Sequence, residues 1–381
     1  MRVVIVGGGV SGLLSAYHLL HSGASVVVYE RRATRTPHRH CTGIVSKETL
    51  ERIPFASKHT LQKYNSIFFY INGYNTPFLE LYSSGYFAYR INRVEHEEKL
   101  QEVLLSGGVD IRFGHEVVSL VKKQSGWVAT VRDWLQKDLY RDEPFNFAVI
   151  AEGFSGQIAK KVGCDSTSIP LIGLQKDYKI KGVIDEHALY IYINPRILGL
   201  GFAWLAPIDT HKATIGVATN LSAFPALALE QYATKFFQRS LRARILGEES
   251  QLYGGIVLMG YPKKAIGADV ACLGDAVSMV KSISGGGLYA ISYFSQMLPQ
   301  VVLQYDNATM NRMAKLLNQL KRQYYLKVLL WQGIHNFSSI LNKVIRWHTI
   351  RIRLRSSSYF DEHEKILPAL IFEMLKSMLK G

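Results

Sequence analysis

The sequence predicts a mixed α/β fold, in which a Rossmann-like nucleotide-binding domain is interrupted by an antiparallel β-sheet domain and followed by a helical C-terminal region. Three observations predict it. Residues 1–32 have the pattern of a β-α-β unit with a glycine-rich turn, the middle of the chain has aromatic strand patterns, and helical patterns dominate after residue 300. A length of 381 residues is enough for about two domains.

The opening β-α-β unit is a candidate dinucleotide site. A β-branched strand leads into a glycine-rich turn and an apolar helix, and a second strand ends at Glu30. The turn has the sequence Gly7-Gly8-Gly9-Val10-Ser11-Gly12. In this motif Gly7 permits the tight turn, Gly9 lets the backbone approach a pyrophosphate, and Gly12 lets the helix pack closely on the strand. The helix N-terminus favours phosphate. Glu30 can accept hydrogen bonds from a ribose hydroxyl and would repel a 2′-phosphate, which disfavours NADP at this site.

Composition excludes several classes of protein. No apolar run is long enough to span a membrane, and glycines interrupt the N-terminal apolar segment, so neither a span nor a signal peptide is predicted. The three cysteines, Cys41, Cys164 and Cys272, have no pairwise spacing, so no disulfide framework and no metal site is expected. The protein is therefore expected to be cytoplasmic.

The formal net charge of +15 is concentrated in one segment, because residues 307–355 contain no Asp or Glu. Its basic residues are Arg312, Lys315, Lys321, Arg322, Lys327, Lys343, Arg346, Arg351, Arg353 and Arg355. Apolar residues, including Trp331 and Trp347, are interleaved with them. Two interpretations stay open: a peripheral surface for anionic membranes or lipid headgroups, and a helical cap with a solvated basic face. Nucleic acid is not the expected partner, because no recognition motif accompanies the charge.

The order of the elements predicts a discontinuous domain arrangement. The nucleotide-binding domain is assigned residues 1–65, 92–168 and 256–300, and the antiparallel sheet residues 66–91 and 169–255. Residues 301–381 form the basic helical region. The elements behind this assignment are strands and hairpins over 68–89, a helix over 93–105, paired strands over 111–132, a strand over 147–151, strands over 171–216, a helix over 232–245 and a strand over 270–273.

Further motifs accompany the glycine-rich turn. Gly274-Asp275-Ala276 follows the last predicted strand, a glycine cluster ends the segment Met279-Val280-Lys281-Ser282-Ile283-Ser284-Gly285-Gly286-Gly287-Leu288, and Arg93 follows Ile91-Asn92. Together they resemble the flavoproteins of the para-hydroxybenzoate-hydroxylase fold group and, within it, the geranylgeranyl reductase family. The resemblance extends from the N-terminus to about residue 300 and implies FAD as cofactor. The implied FAD-binding residues are Gly7, Gly9, Ser11, Gly12, Glu30, Arg31, Arg93, Val117, Gly274, Asp275, Gly285, Gly286 and Gly287.

Two motifs are similar to substrate-site segments of that family. Phe202-Ala203-Trp204-Leu205-Ala206-Pro207 resembles Tyr-x-Trp-x-Phe-Pro, which implies that Phe202, Trp204 and Pro207 line a cavity beside the flavin. His40-Cys41-Thr42-Gly43-Ile44-Val45-Ser46 resembles Pro-Cys-Gly-x-Gly-Ile-Ser, which implies that Cys41 lies at the active site. Cys41 and Trp204 are the implied catalytic residues, with Cys41 either a proton donor or a packing element beside the substrate.

The resemblance implies reduction of isolated carbon–carbon double bonds in geranylgeranyl (isoprenoid) chains of membrane lipids or their precursors. The electrons would come from an external donor, NAD(P)H or a ferredoxin-like protein. Two alternatives stay open: an FAD-dependent monooxygenase or halogenase of the same fold, and a non-catalytic or electron-carrying flavoprotein on membranes. The second alternative stays open because the chain departs from the family motifs at Glu152, Ser278, Lys281 and Ser282.

Overall fold

A parallel five-stranded sheet is the centre of the nucleotide-binding half. A computed structural model describes residues 1–124, 126–136, 139–182, 184–220, 225–304, 306–336 and 349–378. In spatial order the strands of this sheet are β19 (Val270–Cys272), β12 (Phe147–Ile150), β1 (Arg2–Val6), β2 (Ser25–Glu30) and β8 (Asp110–Phe113). Val3, Val4 and Ile5 are completely buried, as expected for a parallel strand covered on both faces.

Helix α1 (Val10–Leu20) packs on this sheet, and α3 (Arg93–Ser106) and α7 (Leu288–Gln304) flank it. Helix α1 packs against both α3 and α7. Gly12 makes the close approach of α1 to β1 possible, since a Cβ at this position would lie 1.9 Å from the carbonyl oxygen of Gly7. Helix α3 begins after Asn92, whose side chain accepts a hydrogen bond from the backbone N–H of Glu95.

A larger, mostly antiparallel sheet lies beside the first. In spatial order its strands are β17 (Arg244–Glu248), β13 (Asp165–Lys181), β16 (Lys212–Thr219), β15 (Phe202–Pro207), β14 (Ala188–Ile193), β5 (Ser66–Ile71), β6 (Leu79–Tyr82) and β20 (Ile350–Arg353), with β18 (Tyr253–Lys264) paired to β13. The pairs β14·β5 and β20·β6 are parallel. This sheet is built largely from the two segments assigned to the inserted domain.

Two small sheets and six further helices complete the described chain. One sheet has the order β11 (Leu139–Phe145), β10 (Gly126–Asp133), β9 (His115–Lys123), and the other β3 (Ile44–Ser46), β7 (Ala88–Ile91), β4 (Thr60–Tyr64). The helices are α2 (Lys47–Arg52), α4 (Gln157–Lys161), α5 (Pro195–Leu198), α6 (Ala226–Ser240), α8 (Asn307–Asn336) and α9 (Leu367–Met378). No helix in the described ranges is both long and apolar enough to cross a bilayer.

The structure corrects the cysteine prediction. Cys164 and Cys272 form a disulfide, although they are 108 residues apart. Cys272 ends β19, and Cys164 follows α4 with its backbone N–H donating to the carbonyl of Ala159. Tertiary packing alone brings the two together, so spacing along the chain could not reveal the pair. Cys41 remains a free, exposed thiol.

Two element predictions were also wrong in part. The helix expected over 232–245 ends at Ser240, because Arg242 has a left-handed φ of +50° and the chain then enters β17. The region expected to be helical after residue 300 contains β20, whose Ile350 and Ile352 are buried while Arg351 and Arg353 are exposed. This period-two alternation is a strand signal. Residue 125 of the paired strands predicted over 111–132, and Lys343, Arg346 and Trp347 of the basic segment, lie outside the described residues.

Candidate active site

One cavity of about 600 Å³ extends from the glycine-rich turn, past the start of α7, to the inner face of the large sheet. One end is lined by backbone and charged groups, and the other by apolar side chains. Most of the implied site residues line it together: Gly7, Gly9, Ser11, Glu30, Arg31, Cys41, Arg93, Val117, Phe202, Trp204, Asp275, Gly285, Gly286 and Gly287. The fold therefore brings together residues from distant parts of the chain.

Three implied residues do not line the cavity. Gly12 and Gly274 support it from behind: Gly274 has a φ of +66°, and a Cβ there would lie 2.3 Å from Oγ of Ser11. Pro207 lies at the end of β15, where its carbonyl accepts a hydrogen bond of 2.6 Å from the hydroxyl of Tyr64. The structure thus gives Pro207 a place in the sheet and not in the cavity wall.

The polar end of the cavity has room for a pyrophosphate beside the backbone. Gly7 has a φ of +103°, and a Cβ there would lie 2.3 Å from the carbonyl oxygen of Ala151, so the turn requires glycine. At Gly9, by contrast, no atom lies within 4 Å of a Cβ. The open space therefore lies where the backbone of the motif approaches a phosphate.

The carboxylate of Glu30 is held in a fixed orientation at this end. One oxygen, Oε2, accepts from the backbone N–H of Gly8 at 2.7 Å, and the other accepts from the backbone N–H of Arg32 at 2.8 Å and from its Nε at 3.1 Å. Oε2, which accepts only one of these bonds, has a further lone pair for a ribose hydroxyl. The open backbone at Gly9 and this oriented carboxylate fit the phosphates and ribose of FAD.

Two titratable side chains, those of Arg93 and Asp275, also line the cavity. Arg93 is buried and pairs with Glu97 one helical turn later, at 2.5 Å between Nη2 and Oε1. Asp275 follows β19 and is half-buried. Burial raises the pKa of Asp275 to about 6, against the smaller opposing effect of the Arg93 guanidinium. A carboxyl at this point can bind the hydroxyl groups of a ribityl chain.

The raised pKa of Asp275 predicts a pH-dependent stability of the flavin-free protein. Since the folded state holds the proton more tightly than the unfolded state, the wild type loses stability as pH rises from about 4 to about 6. Asp275→Asn removes this loss. We expect the variant to gain about 1 to 2 kcal/mol over the wild type at neutral pH, and no such gain near pH 4. Urea unfolding at a series of pH values measures it. The exposed Glu98→Gln is the control, and an equal gain at all pH values would contradict the assignment.

The loop that carries Cys41 is fixed by a buried glutamine of β13. Gln175 is 3% exposed, and its side-chain oxygen accepts from the hydroxyl of Thr42 at 2.6 Å while its amide donates to the carbonyl of His40 at 3.2 Å. The two contacts lie on either side of Cys41. The Cys41 sulfur in turn accepts from the backbone N–H of Gly43 at 3.3 Å. The thiol is therefore held at the cavity wall by residues that sequence reasoning did not select.

The other end of the cavity is apolar and aromatic. The ring of Trp204 lies over Gly216, where a Cβ would be 2.3 Å from the ring, so glycine is needed there to seat the indole. The Nε1 of Trp204 is buried and has no hydrogen-bond partner among the described residues. The neighbouring apolar lining residues are Ile67, Phe69, Leu81, Leu171, Leu189, Ile191, Phe202, Met259, Trp331, Leu354, Tyr359, Phe360 and Ile366.

The C-terminal segments close this apolar end, which the sequence did not predict. Trp331 of α8 lines the cavity and donates from Nε1 to the carbonyl of Gly201 at 3.0 Å. Leu354 follows β20, and Phe360 lies in the turn after it. Trp331, an aromatic residue in the basic segment, was the one sequence signal that this segment could line the cavity. Its burial, however, depends on how α8 packs. Of the aromatic run over 68–89, only Phe69 lines the cavity.

A known family and known relatives share sequence with this chain. Residues 1–193 match the model of the FAD binding domain family. The chain is 23% identical over 290 residues to digeranylgeranylglycerophospholipid reductase 1 of Methanococcoides burtonii, covering 75% of this chain and 70% of that protein. It is 22% identical over 309 residues to digeranylgeranylglycerophospholipid reductase of Methanospirillum hungatei, covering 78% and 75%.

Solved structures share the fold. The crystal structure of a geranylgeranyl bacteriochlorophyll reductase-like protein from Thermoplasma acidophilum superimposes with a TM-score of 0.75 at 17% identity, covering 98% of both chains. The flavin-dependent brominase Bmp2 gives a TM-score of 0.66 at 14% identity, covering 91% of this chain and 93% of that one. At these identities the structures show the architecture alone.

Proposed function

We propose, from the premise that the chain belongs to the FAD binding domain family, that it reduces isolated carbon–carbon double bonds in isoprenoid chains of lipids. The observation that carries this proposal is the single cavity, in which a nucleotide cradle opens into an apolar aromatic chamber. A long hydrocarbon chain fits such a chamber, whereas the polar groups of a small polar substrate would find few hydrogen-bond partners on its walls. The relatives named as digeranylgeranylglycerophospholipid reductases support the same substrate class.

The coarser identification is established. The chain is an FAD-dependent oxidoreductase of the geranylgeranyl reductase type, and the predicted cofactor, FAD, is confirmed. The proposal adds the lipid substrate and the roles of the residues. The proposed FAD-binding residues are those of the glycine-rich turn, Glu30, Arg31, Arg93, Val117, Asp275 and the glycine turn before α7.

The proposed chemistry needs a dry, oriented site. Bound FAD, once reduced, supplies a hydride, and an unconjugated alkene is a poor acceptor of it. The aromatic wall at Trp204 excludes water and orients the alkene, and the Cys41 loop faces the same cavity. We assign to Cys41 the task of holding a proton at Sγ beside the alkene. An unchanged lipid turnover in Cys41→Ser would remove that assignment and leave Cys41 as a packing residue.

An anaerobic reoxidation experiment tests the proposed function. The holoenzyme is reduced, and a geranylgeranyl glycerophospholipid is added while the flavin absorbance is followed, with the fully saturated lipid as the control. Reoxidation by the unsaturated lipid alone is the expected result. A flavin that stays reduced until oxygen enters would contradict the proposal and favour a monooxygenase. NAD(P)H and a ferredoxin-like protein, each offered separately, then identify the external donor.

We further propose that the C-terminal region docks on anionic membranes. Helix α9 packs against β20, and Ile371 and Phe372 of α9 are exposed, as are Arg353 of β20 and Arg355 just after it; we assign these four residues to one surface. Apolar side chains beside arginines fit the boundary between acyl chains and anionic headgroups. Such docking would bring the apolar end of the cavity, closed by the same segments, close to its lipid.

Charge reversal tests the docking surface. Arg353→Glu with Arg355→Glu is expected to lower binding to phosphatidylglycerol vesicles about tenfold or more, because each basic residue near an anionic surface contributes about 1 kcal/mol. Vesicle sedimentation measures it, with phosphatidylcholine vesicles for comparison. Lys160→Glu with Lys161→Glu on α4, also exposed, is the matched control. Equal binding by both double variants would refute this surface.

A further inference from the structure

Lys327 is a fully buried lysine without an ionic partner in the part of the chain that the structure describes. It lies on α8 with an exposure of 0%, and its Nζ donates to the carbonyl of Ile283 at 3.3 Å. The same Nζ lies 3.7 Å from the ring centroid of Trp331 and 5.1 Å from that of Phe202. A buried ammonium with one carbonyl and two aromatic faces is poorly compensated.

A buried carboxylate in this region, that of Asp361, already has a cationic partner. Asp361 pairs with the buried Lys281 at 2.5 Å and also accepts hydrogen bonds from the hydroxyls of Ser46 and Thr49. Burial holds the pKa of Lys327 well below its ordinary range. Burial also lowers the pKa of His363, and the charges of Lys281 and Lys327 lower it further. The region can therefore accept a proton and lacks the negative charge that would hold it there.

Other titratable groups on the elements packed against α8 do not replace that charge. They are His363, Glu364 and Lys365 of the turn after residue 362, Tyr289 and Tyr293 of α7, Tyr253, Tyr261, Lys263 and Lys264 of β18 and Arg196 of α5, together with Lys281 and Asp361. Glu364 accepts a hydrogen bond from Gln323 at 2.9 Å, the hydroxyl of Tyr289 donates to Gln319, and that of Tyr261 lies 3.2 Å from Tyr325. Within the described ranges, none of these groups places a carboxylate against the Lys327 ammonium.

Lys327 lies directly behind the wall of the cavity. Ile283, Trp331 and Phe202, the three residues described beside its Nζ, all line the cavity. Ile283 shortly precedes the turn of Gly285, Gly286 and Gly287, which are proposed FAD-binding residues, and we place the flavin ring of FAD against this turn. Reduction of a bound flavin by two electrons and one proton adds one negative charge to that ring. An electrostatic interaction across one layer of side chains, in a site of low polarity, is strong enough to move a proton equilibrium.

We infer that Lys327 takes up a proton from solvent when the bound FAD is reduced, and so compensates the negative charge that reduction creates. The balance is two electrons from an external donor, one proton to the flavin and one proton to Nζ of Lys327. The inference rests on the placement of FAD against the 285–287 turn and not on the lipid substrate. Lys327 is on this view a positioning residue that acts on the cofactor through the cavity wall.

A potentiometric titration without lipid tests the inference, so its outcome is independent of the proposed lipid reduction. At about pH 8.5 the holoenzyme is expected to take up two protons for two electrons. The number of protons is obtained from the pH dependence of the flavin midpoint potential. Lys327→Met is expected to take up one. Lys327→Arg, which keeps a permanent charge, is also expected to take up one proton. Against a reference dye, the equilibrium constant for flavin reduction in Lys327→Arg should be about tenfold higher than in Lys327→Met.

Controls on the same helix and in the same cluster separate the alternatives. Lys321→Met, an exposed position of α8, should keep two protons. A wild type that takes up one proton, or a Lys327→Met variant that still takes up two, overturns the inference. The inference is also overturned if His363→Gln takes up only one proton while Lys327→Met still takes up two. The second proton would then belong to His363.

Discussion

Gly12→Ala is expected to lower the free energy of unfolding by about 3 to 5 kcal/mol, with loss of bound FAD as a consequence. The cause is steric, since the new Cβ would lie 1.9 Å from the carbonyl oxygen of Gly7, a backbone atom that cannot rotate away. Relief requires α1 to move off β1, which disrupts the most buried part of the core. Urea unfolding of the flavin-free protein measures the change.

Gly9→Ala is the matched variant in the same turn. No atom lies within 4 Å of a Cβ at Gly9, and its backbone is extended, so alanine fits the flavin-free protein. We expect its free energy of unfolding to stay within about 1 kcal/mol of the wild type while its affinity for FAD falls at least tenfold, because the methyl group occupies the pyrophosphate position. Gly333→Ala, in open space on α8, should leave the FAD affinity unchanged and raise the free energy of unfolding by no more than about 1 kcal/mol. Wild-type FAD affinity in Gly9→Ala would place the pyrophosphate elsewhere.

Trp204→Ala is expected to lower the rate of lipid reduction about a hundredfold or more, while FAD affinity changes only a few-fold. Removal of the indole leaves a void in the aromatic wall, so the alkene is no longer held against the cofactor, and a misplacement of about 1 Å is enough for a loss of this size. Single-turnover reoxidation by lipid measures it. The rate of lipid reduction by Trp204→Phe should lie between those of the wild type and Trp204→Ala, because phenylalanine keeps an aromatic ring above Gly216.

An exposed tryptophan supplies the control for this prediction. Trp134 lies outside the cavity with 44% of its surface exposed, so Trp134→Ala should reduce lipid at the wild-type rate. Unfolding of Trp204→Ala at the assay temperature must be checked, since a buried Trp→Ala change costs about 3 to 5 kcal/mol of stability. An unchanged lipid rate in a folded, FAD-loaded Trp204→Ala would show that the substrate does not use this chamber.

The nucleotide-binding start was predictable because its signals are local. Between Arg2 and Glu30 the chain shows a buried strand, a glycine turn, an apolar helix and an acidic residue, and the structure has each of them in place. The strand β20 was missed because its alternating Ile-Arg-Ile-Arg is short and follows a long helical pattern. Its partner, β6, lies in the first quarter of the chain, so no local signal connects the two.

The site was predictable where a motif carries it and not where only packing does. Cys41 could be selected from its motif, but its support by Gln175 joins distant parts of the chain. The disulfide of Cys164 and Cys272 also joins residues that are far apart in the chain, so no local pattern predicts it. Lys327 shows the limit of charge patterns most clearly: it belongs to a segment that suggests a solvated or membrane-facing surface, yet the packing of α8 buries it completely. Sequence gives the charge of a residue, and only the fold gives its surroundings.

The mass of the lipid after one anaerobic turnover tests the proposed function most directly. Reduced holoenzyme is mixed with an equimolar geranylgeranyl glycerophospholipid, and the lipid is extracted once the flavin absorbance is constant. We expect a product that has gained two hydrogens at one double bond and no oxygen, with far less product from Trp204→Ala extracted after the same reaction time. A lipid recovered unchanged, with the flavin still reduced until oxygen is admitted, would contradict reduction of isoprenoid double bonds in this cavity.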